Sequence, residues 1–166
     1  MPGDFVAVDC ETTGTDPERD RIVEVAVVRD GSRRAWRVFP GVPIPAEATA
    51  VHGIADADVA ASPRFADVAH EVAAALAGAI VVTFNGRAFD LPLLRAEFTR
   101  AGFAWPLADA PVVDVLTLDR ELTRHTLAGC VRRWCGREHA GAHVVPCTAG
   151  TAHALMSKFA VTEIGR

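Results

Sequence analysis

The chain has 166 residues, half of them hydrophobic and 23% charged, which excludes a disordered polymer and allows one domain of ordinary size with a proper core. Its net charge of −4 excludes a basic surface built to coat long stretches of backbone phosphate. A grip on a short strand end stays open, because bound metal can supply the positive charge.

Phe5 to Cys10 is a short apolar run ending in acids and predicts a strand. Arg21 to Val28 and Arg33 to Phe39 predict two more, joined by the hairpin dipeptide Asp30-Gly31. Pro40 to Pro63 has no clear period and predicts a long loop with room for one helical turn. Ser62-Pro63 then looks like a helix cap followed by proline at the first helical position. Phe65, Val68, Val72 and Leu76 follow at helical spacing, and Gly78 closes that helix. Ala79 to Phe84 predicts a strand buried on both faces. Leu91, Leu94 and Phe98 mark a helix that Gly102 ends. Val112 to Leu122 is apolar but ambiguous between strand and helix, while Thr126 to Cys135 and Thr148 to Phe159 predict two further helices. The expectation is an α/β fold, a mixed sheet with helices packed on it, in one domain spanning residues 1–166. The tail 160–166 has no readable pattern.

Four cysteines stand at 10, 130, 135 and 147 with no CxxC pair, which favours free thiols in a reducing cytoplasm over a disulfide scaffold or a zinc site. The N-terminus shows no signal-peptide pattern, and the longest apolar run, Ala73 to Phe84, is too short to cross a bilayer. The expectation is a soluble cytoplasmic protein with no membrane partner.

Asp9-Cys10-Glu11 ends the first predicted strand. Alternate strand residues share a face, so Asp9 and Glu11 point together and Cys10 points into the core. Side-by-side carboxylates repel unless a cation lies between them, and oxygen donors suit Mg²⁺ or Mn²⁺. Taken alone, the pair reads more readily as a solvated strand end with a polar turn. Asp90 follows a buried strand and opens a helix, so it can reach the same carboxyl edge of the sheet, although an acid there also simply complements the helix dipole. His143 precedes the last predicted helix, and alone it reads as structural.

Taken in order, these pieces resemble the DEDDh branch of the DnaQ-like exonucleases, a family that includes the proofreading subunit of bacterial DNA polymerase III. Asp9-Cys10-Glu11-Thr12-Thr13-Gly14 matches the first motif in full. Val51-His52-Gly53-Ile54 is similar to the His-Gly-Ile segment near the bound 3′ end, and Asn85 through Phe89-Asp90 to the second motif. Val113-Asp114, with Leu116 and Leu118, resembles the segment before the last helices, and His143 matches the third-motif histidine. The resemblance spans about residues 5–156 and implies a ribonuclease H-like sheet.

It also implies 3′–5′ hydrolysis of terminal phosphodiesters of single-stranded DNA or RNA by a two-metal mechanism with Mg²⁺ or Mn²⁺. In that scheme Asp9, Glu11 and Asp90 hold metal, and His143 takes the proton from the attacking water. Thr12, Thr13, His52, Asn85 and Phe89 line the slot for the terminal nucleotide. A DNA polymerase subunit is the protein partner it suggests. One departure stands out. The family has an aspartate five residues after the histidine; here that position is Thr148, and no Asp or Glu occurs between Glu138 and Glu163. A neutral hydroxyl removes one charge from a site meant for two dications, so the expectations are an impaired exonuclease or, alternatively, an inactive relative that still binds a 3′ end or a nucleotide.

Overall fold

The computed structural model describes residues 4–122 and residue 132. Strands β1 (Phe5–Thr12), β2 (Ile22–Arg29) and β3 (Ser32–Arg37) open the chain, followed by helices α1 (Ala46–His52), α2 (Asp56–Val59) and α3 (Phe65–Leu76). Then come β4 (Ile80–Thr83), α4 (Asp90–Arg100), β5 (Val112–Asp114) and α5 (Val115–Leu122). The five strands form one sheet in the order β3-β2-β1-β4-β5. β1 runs antiparallel to β2, and β2 to β3, whereas β1 is parallel to β4 and β4 to β5. The expected mixed sheet with packed helices is therefore present.

The β2–β3 turn carries Asp30 at φ 51° and Gly31 at φ 77°. Two successive positive φ values match the twist of the flanking strands, so the hairpin signal was read correctly. β1 alternates half-buried and buried residues along its length, and its buried side, Val6, Val8 and Cys10, joins the core. Over that face lie Val68, Val72 and Leu76 of α3 and Leu93, Leu94 and Phe98 of α4. Phe98 is fully buried and meets Phe65 and Trp105 edge to face, with ring centroids 5.1 and 5.8 Å apart. Such pairs add about 0.5–1.5 kcal/mol each beyond the area they bury.

Two expectations need correction and one ambiguity is resolved. The Pro40–Pro63 stretch holds two helices, not one turn. Gly53, at φ 76°, ends α1 by donating its N–H to Thr49 O, and a second cluster of Val23, Ile44, Ile54 and Val59 anchors the segment. Both helices are too short to show a period in sequence. Next, α3 is not capped by Ser62. Pro63 O is already taken by the Phe39 amide, so the helix starts at Phe65, and Asp67 reaches back to accept the Arg64 N–H at 2.9 Å. Finally, the ambiguous run after residue 112 divides into β5 and α5 at Asp114. The helices expected over 126–135 and 148–159 lie outside the described residues. No helix of the described residues is long and apolar enough to cross a membrane.

Candidate nuclease site

Because β1, β4 and β5 run parallel, their carboxyl ends share one edge of the sheet. That edge brings together Asp9 and Glu11 from β1, Asn85 just after β4, and Asp114 at the end of β5, in the crevice where open α/β sheets bind ligands. Asp9 and Glu11 are both half-buried and alternate with buried Cys10, as strand geometry requires.

Asp90, the first residue of α4, completes the group. The β1–β4 ladder stops at Ala7↔Val82, so the Cys10 amide lies beyond the reach of that pairing. Asp90 Oδ1 accepts its hydrogen at 2.9 Å. The first and second acidic motifs are thus joined by a direct bond across 80 residues of sequence. Asp90 is only 3% exposed. Burial raises its pKa from 3.8 to about 6; the hydrogen bonds from Cys10 and its own backbone oppose the shift, and the charges of Glu11 and Asp114 add to it. Burial also pushes the Cys10 thiol well up, reinforced by Asp90, Asp9 and Glu11. Cys10 is accordingly a core thiol, not a nucleophile.

The residues expected to line a nucleotide slot divide into two groups. Asn85 is exposed at the edge, with φ 61° in the left-handed region that Asn tolerates better than most. Phe89 is half-buried and packs against the core. Thr12, Thr13 and His52 are buried and internally committed. Thr12 Oγ1 donates to Gly14 O at 2.6 Å. Thr13 Oγ1 donates to Asp20 Oδ1 and accepts from the Arg21 amide. His52 Nδ1 accepts the Ile54 N–H at 3.0 Å, so Nε2 carries the proton, which faces Thr12 O at 3.2 Å. These three hold the shape of the site's rim and offer it few free polar atoms. His143 and Thr148 lie outside the described residues.

Two sets of residues carry roles that the sequence alone did not assign. Asp114 is buried and accepts from the amides of Asn85, Arg87 and Leu116. The visible signal was an acid ending a β-branched run, the same pattern that singled out Asp9. Glu97 of α4, 2% exposed, takes a fork from Arg21 at 2.6 and 3.2 Å and a bond from Arg100 at 3.0 Å. Arg100 also donates to the carbonyls of Pro17, Glu18 and Asp20. This network ties the loop after the first motif to the helix that carries the second. Its partners are about 80 residues apart, so no local pattern announces it. Beside it a groove of about 750 Å³ is lined by residues that include Arg87, Leu91, Arg95, Arg100 and Trp105.

The donor chemistry at the edge is all carboxylate oxygen, which suits a hard divalent cation. Among the described residues, however, no three His, Cys, Asp or Glu side chains gather as a metal-binding group. Asp90 has one oxygen committed to the Cys10 amide.

Comparison with known proteins gives the family and the fold. A DNA polymerase III subunit epsilon-like protein of Rhodobacter capsulatus is 43% identical over 122 residues, 69% of this chain and 17% of its own length. The 3′-5′ exonuclease DinG of Bacillus subtilis is 36% identical over 122 residues, 70% of this chain and 13% of its own. The chain therefore spans less than a fifth of either relative. In fold it is similar to E. coli Exonuclease I crystallised with a dT13 oligonucleotide, at a TM-score of 0.74 and 19% identity, covering 94% of this chain and 40% of that one. Residues 6–143 match the RNase_T family, described as exonuclease, and the chain belongs to that family.

Proposed function

We propose that this chain is a 3′–5′ exonuclease domain that removes nucleotides from the free 3′ end of single-stranded nucleic acid with the help of Mg²⁺ or Mn²⁺. The observation that supports the reading is the Asp90–Cys10 bond, which brings the second-motif carboxylate to the backbone of the first motif. Asp9 and Glu11 would hold the metal, with the second oxygen of Asp90 facing it. A divalent cation bound there would supply an activated water and charge stabilisation for the in-line displacement. The chain's own part is to orient the strand end. Asn85 and Phe89 meet the terminal nucleotide, and ring–base contacts of this kind are worth about 1–3 kcal/mol. Thr12, Thr13 and His52 keep the rim rigid, and His143 is the proposed proton acceptor. Arg87 and Arg95, lining the neighbouring groove, give positive charge to a chain whose net charge is −4. Buried free Cys10 fits a reducing, cytoplasmic setting, and a polymerase subunit is the proposed protein partner.

Thr148 favours a second reading, a 3′-end-binding relative with little or no catalysis. A nuclease assay separates the two. Short single strands with a free 3′ end, incubated with Mg²⁺ or Mn²⁺, are shortened by the exonuclease, and the shortening disappears in Asp9→Ala. Binding without shortening, at any metal concentration, supports the second reading and overturns the first.

A further inference from the structure

We propose that Asp114 is a positioning residue for the second motif, setting where Asn85 meets the strand end; the inference rests on the exonuclease reading above. Asp114 lies opposite Thr83 in the β4–β5 register and is buried. Its Oδ1 accepts from Asn85 N at 2.9 Å and from Leu116 N at 3.1 Å, and its Oδ2 from Arg87 N at 3.0 Å. Three amide donors compensate a buried carboxylate and fix its plane. The bond to Leu116 alone would be an ordinary helix cap for α5. The other two reach 27 and 29 residues back and serve a different segment.

That segment is one hydrogen-bonded unit. Asn85 O accepts from Ala88 and Phe89, and Gly86 O from Leu91. Gly86 sits so close to the Thr83 side chain that a Cβ there would overlap it, so the turn has no room to shift sideways. Asn85 adopts a left-handed conformation, φ 61°, which Asn tolerates better than most residues and which neighbouring bonds can hold. Asp114 enforces it by holding the amides on either side of Gly86. The exit direction of the Asn85 side chain is set from this anchor.

Asp114→Ser separates positioning from capping, because serine caps a helix about as well as aspartate but has one oxygen where three amides need acceptors. Binding is read by anisotropy with a short 5′-labelled single strand ending in a free 3′-hydroxyl, its terminal linkage a phosphorothioate to resist cleavage. Asp114→Ser is expected to weaken binding at least tenfold. It should speed amide exchange at Asn85 and Arg87 and leave exchange in β1 and β2 unchanged. Asp114→Ser combined with Asn85→Ala should bind as Asn85→Ala alone, within about twofold, because both act through one side chain. Unchanged binding in Asp114→Ser, or losses that multiply in the double variant, would overturn the proposal. If the parent chain binds no strand, the exonuclease reading fails by itself. Amide exchange then still decides the anchor, and unchanged exchange at Asn85 and Arg87 in Asp114→Ser overturns it.

Discussion

Burial, hydrogen bonding and neighbouring charge all act on the Asp90 side chain. In the unfolded chain it titrates near 3.8, and in the fold at about 6. The folded state therefore binds the proton more tightly, and the stability this contributes is present below the unfolded value and lost as pH rises through the folded one. Metal-free protein is expected to melt higher at about pH 5 than at about pH 7, and Asp90→Asn should flatten that part of the profile. Thermal melts in chelator check this; a wild-type profile that rises between those pH values would contradict it. Thr148 belongs to the same scale. Thr148→Asp restores the family's fourth carboxylate and is expected to raise the nuclease rate at least tenfold, which needs only about 1.4 kcal/mol of barrier. It should also lower the melting temperature in chelator and raise it in Mn²⁺, since clustered carboxylates repel until a cation binds. If neither rate nor metal-dependent melting changes in a folded variant, residue 148 does not face the metal.

At the scale of elements, two contacts hold the motif segments in place. Gly86→Ala would drive a methyl group into Thr83, and overpacking of this kind costs about 1–3 kcal/mol. Chemical denaturation should show that loss, with part of it recovered by Thr83→Ala. Glu97→Ala removes the carboxylate shared by Arg21 and Arg100. Both arginines keep some solvent access, so the expected cost is about 1–3 kcal/mol, below that of breaking a fully buried pair. Proteolysis should also become faster in the 13–21 loop, and unchanged cleavage there would show that the network does not hold it. What was legible in sequence follows the same division. β1, the β2–β3 hairpin, α3 and α4 announced themselves because periodicity, Asp30-Gly31 and the closing glycines are local signals. Asp9, Glu11 and Asp90 were singled out by the order of motifs along the chain, and the structure joins Asp90 to the Cys10 amide. The Asp114 anchor and the Glu97 network were not singled out, because both join segments far apart in sequence and consist largely of bonds to backbone amides and carbonyls. His52 and the two threonines were placed by resemblance at the slot, and the structure uses their polar atoms to brace its rim.

At the scale of the molecule, the fold gathers parallel strand ends from both halves of the described chain into one acidic edge, and a groove along α4 includes Arg87, Arg95 and Arg100 in its lining. An acidic domain with a local basic surface is suited to a short strand end and poorly suited to a long duplex. Closed circular DNA should therefore stay intact under conditions in which linear single strands are shortened, and efficient cutting of circles would refute the end-directed reading. The most direct test of the central claim follows a 5′-labelled single strand of about ten nucleotides through time in Mn²⁺. Wild-type protein should produce a ladder descending one nucleotide at a time from the 3′ end. The ladder should be faster in Thr148→Asp, about 100-fold slower or lost in Asp9→Ala, and absent in chelator, on the scale that removal of metal-centred chemistry produces. A strand left at full length by both wild-type protein and a folded Thr148→Asp variant, or a ladder that Asp9→Ala leaves unchanged, would contradict the assignment of this acidic edge as an exonuclease centre.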